Sequence, residues 1–270
     1  MTSLKIATWN INSVRMRRLI VERLLNEEAP DLLFLQETKC QDAQFPSSDF
    51  RKLGYDHFAL NGGRGGYHGV GVISRLPLVD VHSRDFCGKG GDPRYVSVAV
   101  EVGGQKLRVH NFYVPAGGDE PDPAINDKFE HKLRFLDEMK AWLPTASPDM
   151  PDIVVGDLNV APYEQDVWSH KALLKIVSHT PIECEKLEAV REAGGWVDVM
   201  RKFVPMDDKL YSWWSYRAKD WRAADKGRRL DHIWAHPALA EKATGLRVLK
   251  DARDWDRPSD HAPVIASFKF

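Results

Sequence analysis

Short runs of β-branched and aromatic residues, each closed by Gly, Pro, Asn or Asp, recur along the chain. They predict strands at residues 5–12, 31–36, 69–74, 95–102, 107–114, 152–156, 230–234 and 264–268. So many strands exclude a helical bundle. Two stretches change to a helical period. Ser13 is placed to cap a helix carrying Met16, Ile20 and Leu24 on one face, and Ile125, Phe129, Leu133, Leu136, Met139 and Leu143 form a longer apolar stripe. Residues 182–192 are rich in helix formers and predict a third helix. Glycine-rich turns at 62–66 and 88–91 separate strands, and Gly117-Gly118 precedes the long helix. The helices interrupt the strands irregularly, which is a poor match to the strict alternation of a doubly wound parallel sheet. The pattern predicts an α/β sandwich: two mainly antiparallel sheets packed face to face, helices on the outer faces, and loops gathered at one edge. Without repeats or a long linker, residues 1–270 are expected to form one domain.

Composition agrees with a globular chain: of 270 residues, 43% are hydrophobic and 29% charged. Lys and Arg total 38 against 39 Asp and Glu, so the net charge of −1 gives no overall hint of a polyanionic partner. Local counting changes that picture. Residues 217–229 hold six Lys or Arg against two Asp, residues 15–23 hold four Arg against one Glu, and acids collect at 118–138. Such runs are often solvated faces, but these two flank polar strand ends. Cys40, Cys87 and Cys184 are odd in number and widely spaced, which predicts free thiols in a reducing compartment, the cytoplasm. The N-terminus lacks the pattern of a signal peptide, and no apolar window approaches the roughly 20 residues of a membrane span.

The chemistry is concentrated where polar residues close apolar strands. Asn10 and Asn12 follow the first run, Gln36-Glu37-Thr38 the second, and Asn111-Phe112-Tyr113 a later one. Asp157 and Asn159 follow Ile-Val-Val-Gly, Asp231 lies in Arg-Leu-Asp-His-Ile-Trp, and Ser259-Asp260-His261 precedes the last strand. A carboxylate at a buried strand end is costly unless it is paired or binds a cation. Each of these residues alone also reads as a cap, an Asx-turn or a solvated charge. Together, Glu37, Asp157, Asp231 and Asp260 predict a shared site.

The segments Trp-Asn-Ile-Asn-Ser-Val-Arg at 9–15, Leu-Gln-Glu-Thr-Lys at 35–39, Gly-Asp-Leu-Asn-Val-Ala-Pro at 156–162 and Pro-Ser-Asp-His-Ala-Pro-Val at 258–264 carry a resemblance. The chain resembles, over its whole length, the exonuclease III and abasic-site (AP) endonuclease branch of the endonuclease/exonuclease/phosphatase superfamily. Asn10 and Glu37 alone would also suit phosphatases and sphingomyelinases. Lys39, and the Tyr-Ser-Trp-Trp-Ser-Tyr-Arg run at 211–217 followed by Gly-Arg-Arg-Leu-Asp at 227–231, favour the DNA-repair branch.

The resemblance implies the four-layer α/β sandwich and a Mg²⁺-dependent DNA phosphodiesterase of base excision repair. Its expected activities are a 3′→5′ exonuclease on double-stranded DNA and an abasic-site endonuclease leaving a 3′-hydroxyl, by metal-assisted in-line attack of water. Asp157 would activate or orient that water, helped by Asn159. His261 would contact the scissile phosphate, Asp231 would hold its other nitrogen, and Tyr113 would add a hydroxyl. Glu37, Asp260 and the amide oxygen of Asn10 are hard oxygen ligands suited to Mg²⁺, with Mn²⁺ as the alternative, and unsuited to zinc. His232 and His236 sit four apart without further ligands, so a structural role is expected.

The expected partner is double-stranded DNA with abasic sites or 3′ ends, bound by a monomer away from any membrane. Asn12, Arg15, Arg217 and Arg228 would contact it, and Trp213 and Leu230 would line the pocket for an extruded abasic sugar. Arg228 departs from the large apolar residue common in abasic endonucleases. Two rival readings compete with this one: hydrolysis of a small or lipid phosphoester, opposed by the basic segments, and a catalytically dead binding module, opposed by a complete polar set.

Overall fold

The computed structural model describes residues 2–63, 66–88 and 90–270. Its strands are β1 (Ser3–Asn10), β2 (Leu32–Gln36), β3 (His57–Asn61), β4 (Val70–Ser74), β5 (Asp80–Ser83), β6 (Tyr95–Val102), β7 (Gln105–Tyr113), β8 (Asp152–Asp157), β9 (Val197–Asp198), β10 (Trp213–Trp214), β11 (Gly227–Arg228), β12 (Asp231–Ala235), β13 (Ala243–Val248) and β14 (Val264–Lys269). The helices are α1 (Arg18–Glu27), α2 (Ser47–Arg51), α3 (Asp127–Trp142), α4 (His170–Leu173), α5 (Pro181–Ala193), α6 (Val199–Phe203), α7 (Trp221–Ala224) and α8 (Pro237–Ala240). Arg64, Gly65 and Lys89, in the two glycine-rich turns read from the sequence, lie outside the described residues.

Two six-stranded sheets face each other, in the orders β13-β14-β1-β2-β4-β3 and β5-β6-β7-β8-β12-β9. Each is antiparallel except for one central parallel pair, β1 with β2 and β7 with β8. The period of two in the strands explains the layers. Leu4 and Ile6 of β1 point between the sheets with Phe34, Val98, Val109, Val155 and Ile233, whereas Ala7 and Trp9 point outward to Ile20, Leu24 and Leu25 of α1. On the other outer face, Phe112, Val154 and Trp234 meet Phe135, Leu136 and Met139 of α3 and Leu187 and Val190 of α5. Each such side chain removed from water contributes on the order of 1.5–3 kcal/mol, so both faces of both sheets are committed. The result is the helix–sheet–sheet–helix sandwich expected from the sequence.

The differences lie at element ends. The first helix begins at Arg18, four residues later than a Ser13 cap would place it. Asn12 and Ser13 adopt left-handed φ of 48° and 88°, and Ser13 N–H and Val14 N–H donate to the carbonyls of Glu37 (2.7 Å) and Thr38 (3.1 Å). That segment extends the pairing of β1 with β2 and so cannot coil. Met16 is left exposed, while Ile20 and Leu24 are buried as expected. In α3 the cap is Asn126, whose side chain accepts from Lys128 N–H, so Ile125 lies outside the helix and is exposed. Leu143 continues the buried stripe in a 3₁₀ turn. The α5 helix starts at Pro181 behind a Thr180–Glu183 capping box. Strands β3, β5 and β13 carried no sequence signal because all three are half-exposed sheet-edge segments. Among the described residues no helix is long and apolar enough to cross a membrane, and the three cysteines are free.

Candidate active site

Both parallel pairs open onto the same edge of the sandwich. Asn10 ends β1 in register with Gln36, which ends β2 and is followed by Glu37; Tyr113 ends β7 in register with Asp157, which ends β8. Asp231 opens β12 directly opposite Asp157, and Asp260-His261 immediately precede β14 beside β1. Gly156 makes this alignment possible: its φ is +137°, and a Cβ there would stand 2.0 Å from the Phe112 carbonyl oxygen. Beneath the edge, Gln36 Nε2 donates to Asn111 Oδ1 (2.7 Å) and Thr8 Oγ1 (2.9 Å), joining the two sheets by a polar bridge where the apolar interior ends.

The side chains form one hydrogen-bonded cluster. His261 Nδ1 donates to Asp231 Oδ2 at 2.8 Å, and its Nε2 lies 3.7 Å from Asp157 Oδ2. Burial opposes a charge on the imidazole, but Asp231 and Asp157 outweigh it and hold the pKa up at about 10, so the ring is an imidazolium. Trp9 Nε1 donates to the His261 carbonyl (2.9 Å), and Ser212 Oγ accepts from the Leu230 and Asp231 N–H groups (3.1 and 3.0 Å). Asp157 accepts from Asn10 Nδ2 (2.8 Å), Asn159 N–H (3.0 Å) and Asn159 Nδ2 (3.1 Å). Burial, with Asp231 and Glu37 adding to it, pushes its pKa up to about 7 in spite of His261. Tyr113 is held well above the usual phenol range by burial and the charges of Glu37 and Asp157, so its hydroxyl keeps its proton.

Asn10 faces the site differently from the expectation that its amide oxygen would point there. Its Nδ2 donates to both Glu37 Oε1 and Asp157 Oδ2 (2.8 Å each), while Oδ1 accepts from Asn12 N–H at 3.1 Å. Glu37 Oε2 pairs with Lys39 (2.7 Å), and burial of Glu37 is outweighed by Lys39 and Asn10, which lower its pKa. Asp260 accepts from Trp213 Nε1 (2.9 Å) and Asn12 Nδ2 (3.3 Å); its burial too is outweighed, chiefly by His261. Four carboxylates thus share the site with Lys39 and His261 alone among these pairings. Asp231 Oδ1 is buried without a partner, and Asp157 resists ionisation. The donor set is all oxygen and short of positive charge, which fits a hard divalent cation. Asp157, Asp231 and His261 also bring one ligating atom each within 4.8 Å of one another, but the Nδ1 proton on Asp231 makes this an acid–base group.

Glu37, Tyr113, Asp157, Asn159, Asp260 and His261 line a cavity of about 570 Å³. Trp168, Trp213, Arg217, Lys226, Arg228 and Leu230 line it as well. Arg228 Nη1 donates to the Val177 carbonyl (3.0 Å) and Ser178 Oγ (2.7 Å), and its guanidinium lies 5.3 Å from the Trp213 ring centroid. Asn12, accepting from Lys39 Nζ at 2.6 Å, and Arg15, exposed on the loop after β1, are both outside the lining.

The basic runs are less positive than their counts suggest. Arg229 is wholly buried and bound by Asp166 (2.8 Å) and Asp198 (2.6 Å), and Arg222 pairs with Asp251 (2.6 Å) and Asp254. In the first run, Arg18 pairs with Glu22 (2.5 Å) and Arg23 with Glu27 (2.8 Å). Of the two runs, the cations that line the cavity among the described residues are Arg217, Lys226 and Arg228. His232 is structural, as expected: it is buried and bonded to the Val160 carbonyl (2.8 Å), and His236 caps α8. Sequence reasoning missed Arg94, whose guanidinium lies 4.8 Å from the Tyr113 ring centroid. It also missed the support given by Ser212 to Asp231.

The model of the endonuclease/exonuclease/phosphatase family matches residues 7–261, which contain every member of the cluster. The chain belongs to this family. Its relatives place it in the exonuclease III and AP endonuclease branch. The exodeoxyribonuclease III of Haemophilus influenzae is 29% identical over 274 residues, covering 98% of this chain and 100% of that protein. An AP endonuclease from Archaeoglobus fulgidus superposes with a TM-score of 0.90 at 33% identity, covering 99% of this chain and 100% of that one. The 3′ phosphatase NExo from Neisseria, solved with a product DNA hairpin, gives 0.89 at 28% identity, with the same coverage of 99% and 100%. The chain is an enzyme of this family.

Proposed function

We propose that this chain is a Mg²⁺-dependent DNA phosphodiesterase of base excision repair. Its activities are 3′→5′ removal of nucleotides from double-stranded DNA and incision at abasic sites leaving a 3′-hydroxyl. Family membership makes it a hydrolytic nuclease; the observation that carries the finer reading is the His261–Asp231 imidazolium facing Asp157 in a cavity that Trp213 and Leu230 also line. Glu37 and Asp260, beside Asn10, would hold the Mg²⁺, or Mn²⁺ in its place, which when bound offsets the phosphate charge and stabilises the leaving oxygen.

The remaining work falls to the chain. Asp157, with a pKa near 7 and fixed by Asn10 and Asn159, accepts the proton of the attacking water. His261 Nε2–H and the Tyr113 hydroxyl donate to the phosphate oxygens, and Asp231 keeps the imidazole oriented. Arg217, Lys226 and Arg228 attract the flanking backbone. The reading includes a single domain over residues 1–270 acting as a monomer in the cytoplasm, supported by three free cysteines. The test uses a duplex with one abasic site beside an intact duplex with a recessed 3′ end, with Mg²⁺ and with EDTA. Metal-dependent nicking immediately 5′ to the lesion and shortening of the recessed strand are expected. Inactivity on both DNAs overturns the proposal.

A further inference from the structure

Lys132 in α3 and Glu183 in α5 are both wholly buried and pair at 2.5 Å. Such a pair is a weak source of stability, because desolvating two charges offsets most of their attraction and apolar side chains would serve as well. What the pair grips is more informative. Lys132 Nζ donates its other protons to the carbonyls of Asn159 (2.7 Å) and Ala116 (3.3 Å). Glu183 accepts from Ser178 N–H on both oxygens (2.9 Å each), from Thr180 N–H (3.2 Å) and from Thr180 Oγ1 (2.6 Å). Ala116, Asn159 and Ser178 belong to three separate loops, and all three line the active-site cavity. The passage for the lysine is built in: Gly117 has φ +92°, and a Cβ there would lie 2.9 Å from Lys132 Cδ.

Asn159 connects the pair to the chemistry. Its backbone is left-handed (φ 54°), and its N–H and Nδ2 both hold Asp157, while Nδ2 also donates to the Val114 carbonyl (2.9 Å). With its carbonyl pinned by Lys132, the residue is held at its N–H, its carbonyl and its side-chain Nδ2. Through Glu183 the pair also reaches Ser178, whose Oγ accepts from Arg228, a cation of the cavity lining (2.7 Å).

We propose that Lys132 and Glu183 are the positioning pair of this active site: Lys132 fixes Asp157 through Asn159, and Glu183 fixes the Ser178–Arg228 wall, so that carboxylate and wall are held as one body. The inference rests on the nuclease reading above. Its test compares Lys132→Met with the neutral double variant Lys132→Met/Glu183→Gln, in which Gln keeps the acceptor that the α5 capping box needs. The single variant strands a buried carboxylate and lowers the urea midpoint, and the double recovers most of that loss.

Activity follows a different pattern. In the double variant kcat on an abasic duplex stays at least tenfold below wild type, while KM changes less than twofold. Amides at 157–161 and 177–180 exchange with solvent faster in the double variant, and do so together. A double variant with wild-type kcat shows the pair to be structural only and overturns the proposal. Unchanged exchange in both segments overturns it as well, and that measurement stands even if wild-type protein fails to cut DNA, a result that would remove the nuclease reading alone.

Discussion

At the residue scale the site is a balance of charges, and His261 shows how it is struck. A fully buried imidazole ordinarily sheds its proton, yet Asp231 at 2.8 Å and Asp157 at 3.7 Å keep this one charged. Nε2 therefore presents a proton to the cavity without needing a tautomer change. Removing the ring removes that donor and leaves Asp231 buried with its remaining oxygen also unpartnered. For His261→Ala, kcat on abasic or recessed duplex should fall by at least about a hundredfold, as expected for a positioned charge-stabilising donor. Asp157→Asn keeps the shape but forfeits the proton acceptor and should cost a similar roughly hundredfold or more. Circular dichroism and the urea midpoint check that each variant is folded. Near-normal turnover in either purified variant would remove that residue from the reaction.

At the element scale, what matters is how strands end. The β8 strand can deliver Asp157 to Tyr113 and Asp231 only because Gly156 lets the Phe112 carbonyl approach. Gly156→Ala places a methyl 2.0 Å from that oxygen at a φ of +137°, so neither the rotamer nor the backbone can relieve it. A loss of at least about 2 kcal/mol in unfolding free energy is expected, from the disfavoured φ and the clash together. An unchanged urea midpoint would contradict that account.

The strand ends were also the legible part of the sequence. Apolar runs closed by Asn10, Glu37, Tyr113 and Asp157, and the run that Asp231 opens, are local signals, readable one strand at a time, and the predicted strand at 95–102 coincides with β6. Pairings between distant segments are not local. The capture of Arg229 by Asp166 and Asp198, and the turn of the Asn10 amide toward two carboxylates, depend on partners up to 147 residues away. Lys132 left a trace that only the fold explains: it lies three residues after Phe129 and beside Leu133, on the buried stripe of α3, where an unpaired lysine could not stay.

At the scale of the whole molecule, buried histidines make stability depend on pH in a direction that can be worked out. His232 is fully buried in β12, and burial together with the charge of Arg229 lowers its pKa to about 3. Its Nε2–H donates to the Val160 carbonyl, so the ring is neutral in the folded protein. Once unfolded, it takes up a proton near its ordinary pKa of about 6.5. Between these two values the unfolded chain binds a proton that the folded chain refuses, so the contribution of His232 is complete above about pH 6.5. It falls below that by up to about 1.4 kcal/mol per pH unit from this residue alone. His110 and His179, also lowered chiefly by burial, add to the same trend. The carboxylate Asp92, lowered to about 2 against its burial by His131 and Arg94, acts in a different window: its contribution is lost only as pH falls below the ordinary carboxylate range. Over pH 7.5 to 5.0 Asp157, raised to about 7, and His261, raised to about 10, pull the other way, so the His232 contribution is read from the difference in urea midpoint between wild type and variant. The slope of midpoint against pH should be distinctly less positive in His232→Gln, which can keep the donor to Val160 without titrating. Parallel slopes for wild type and variant would mean that the acid sensitivity of this sandwich lies elsewhere.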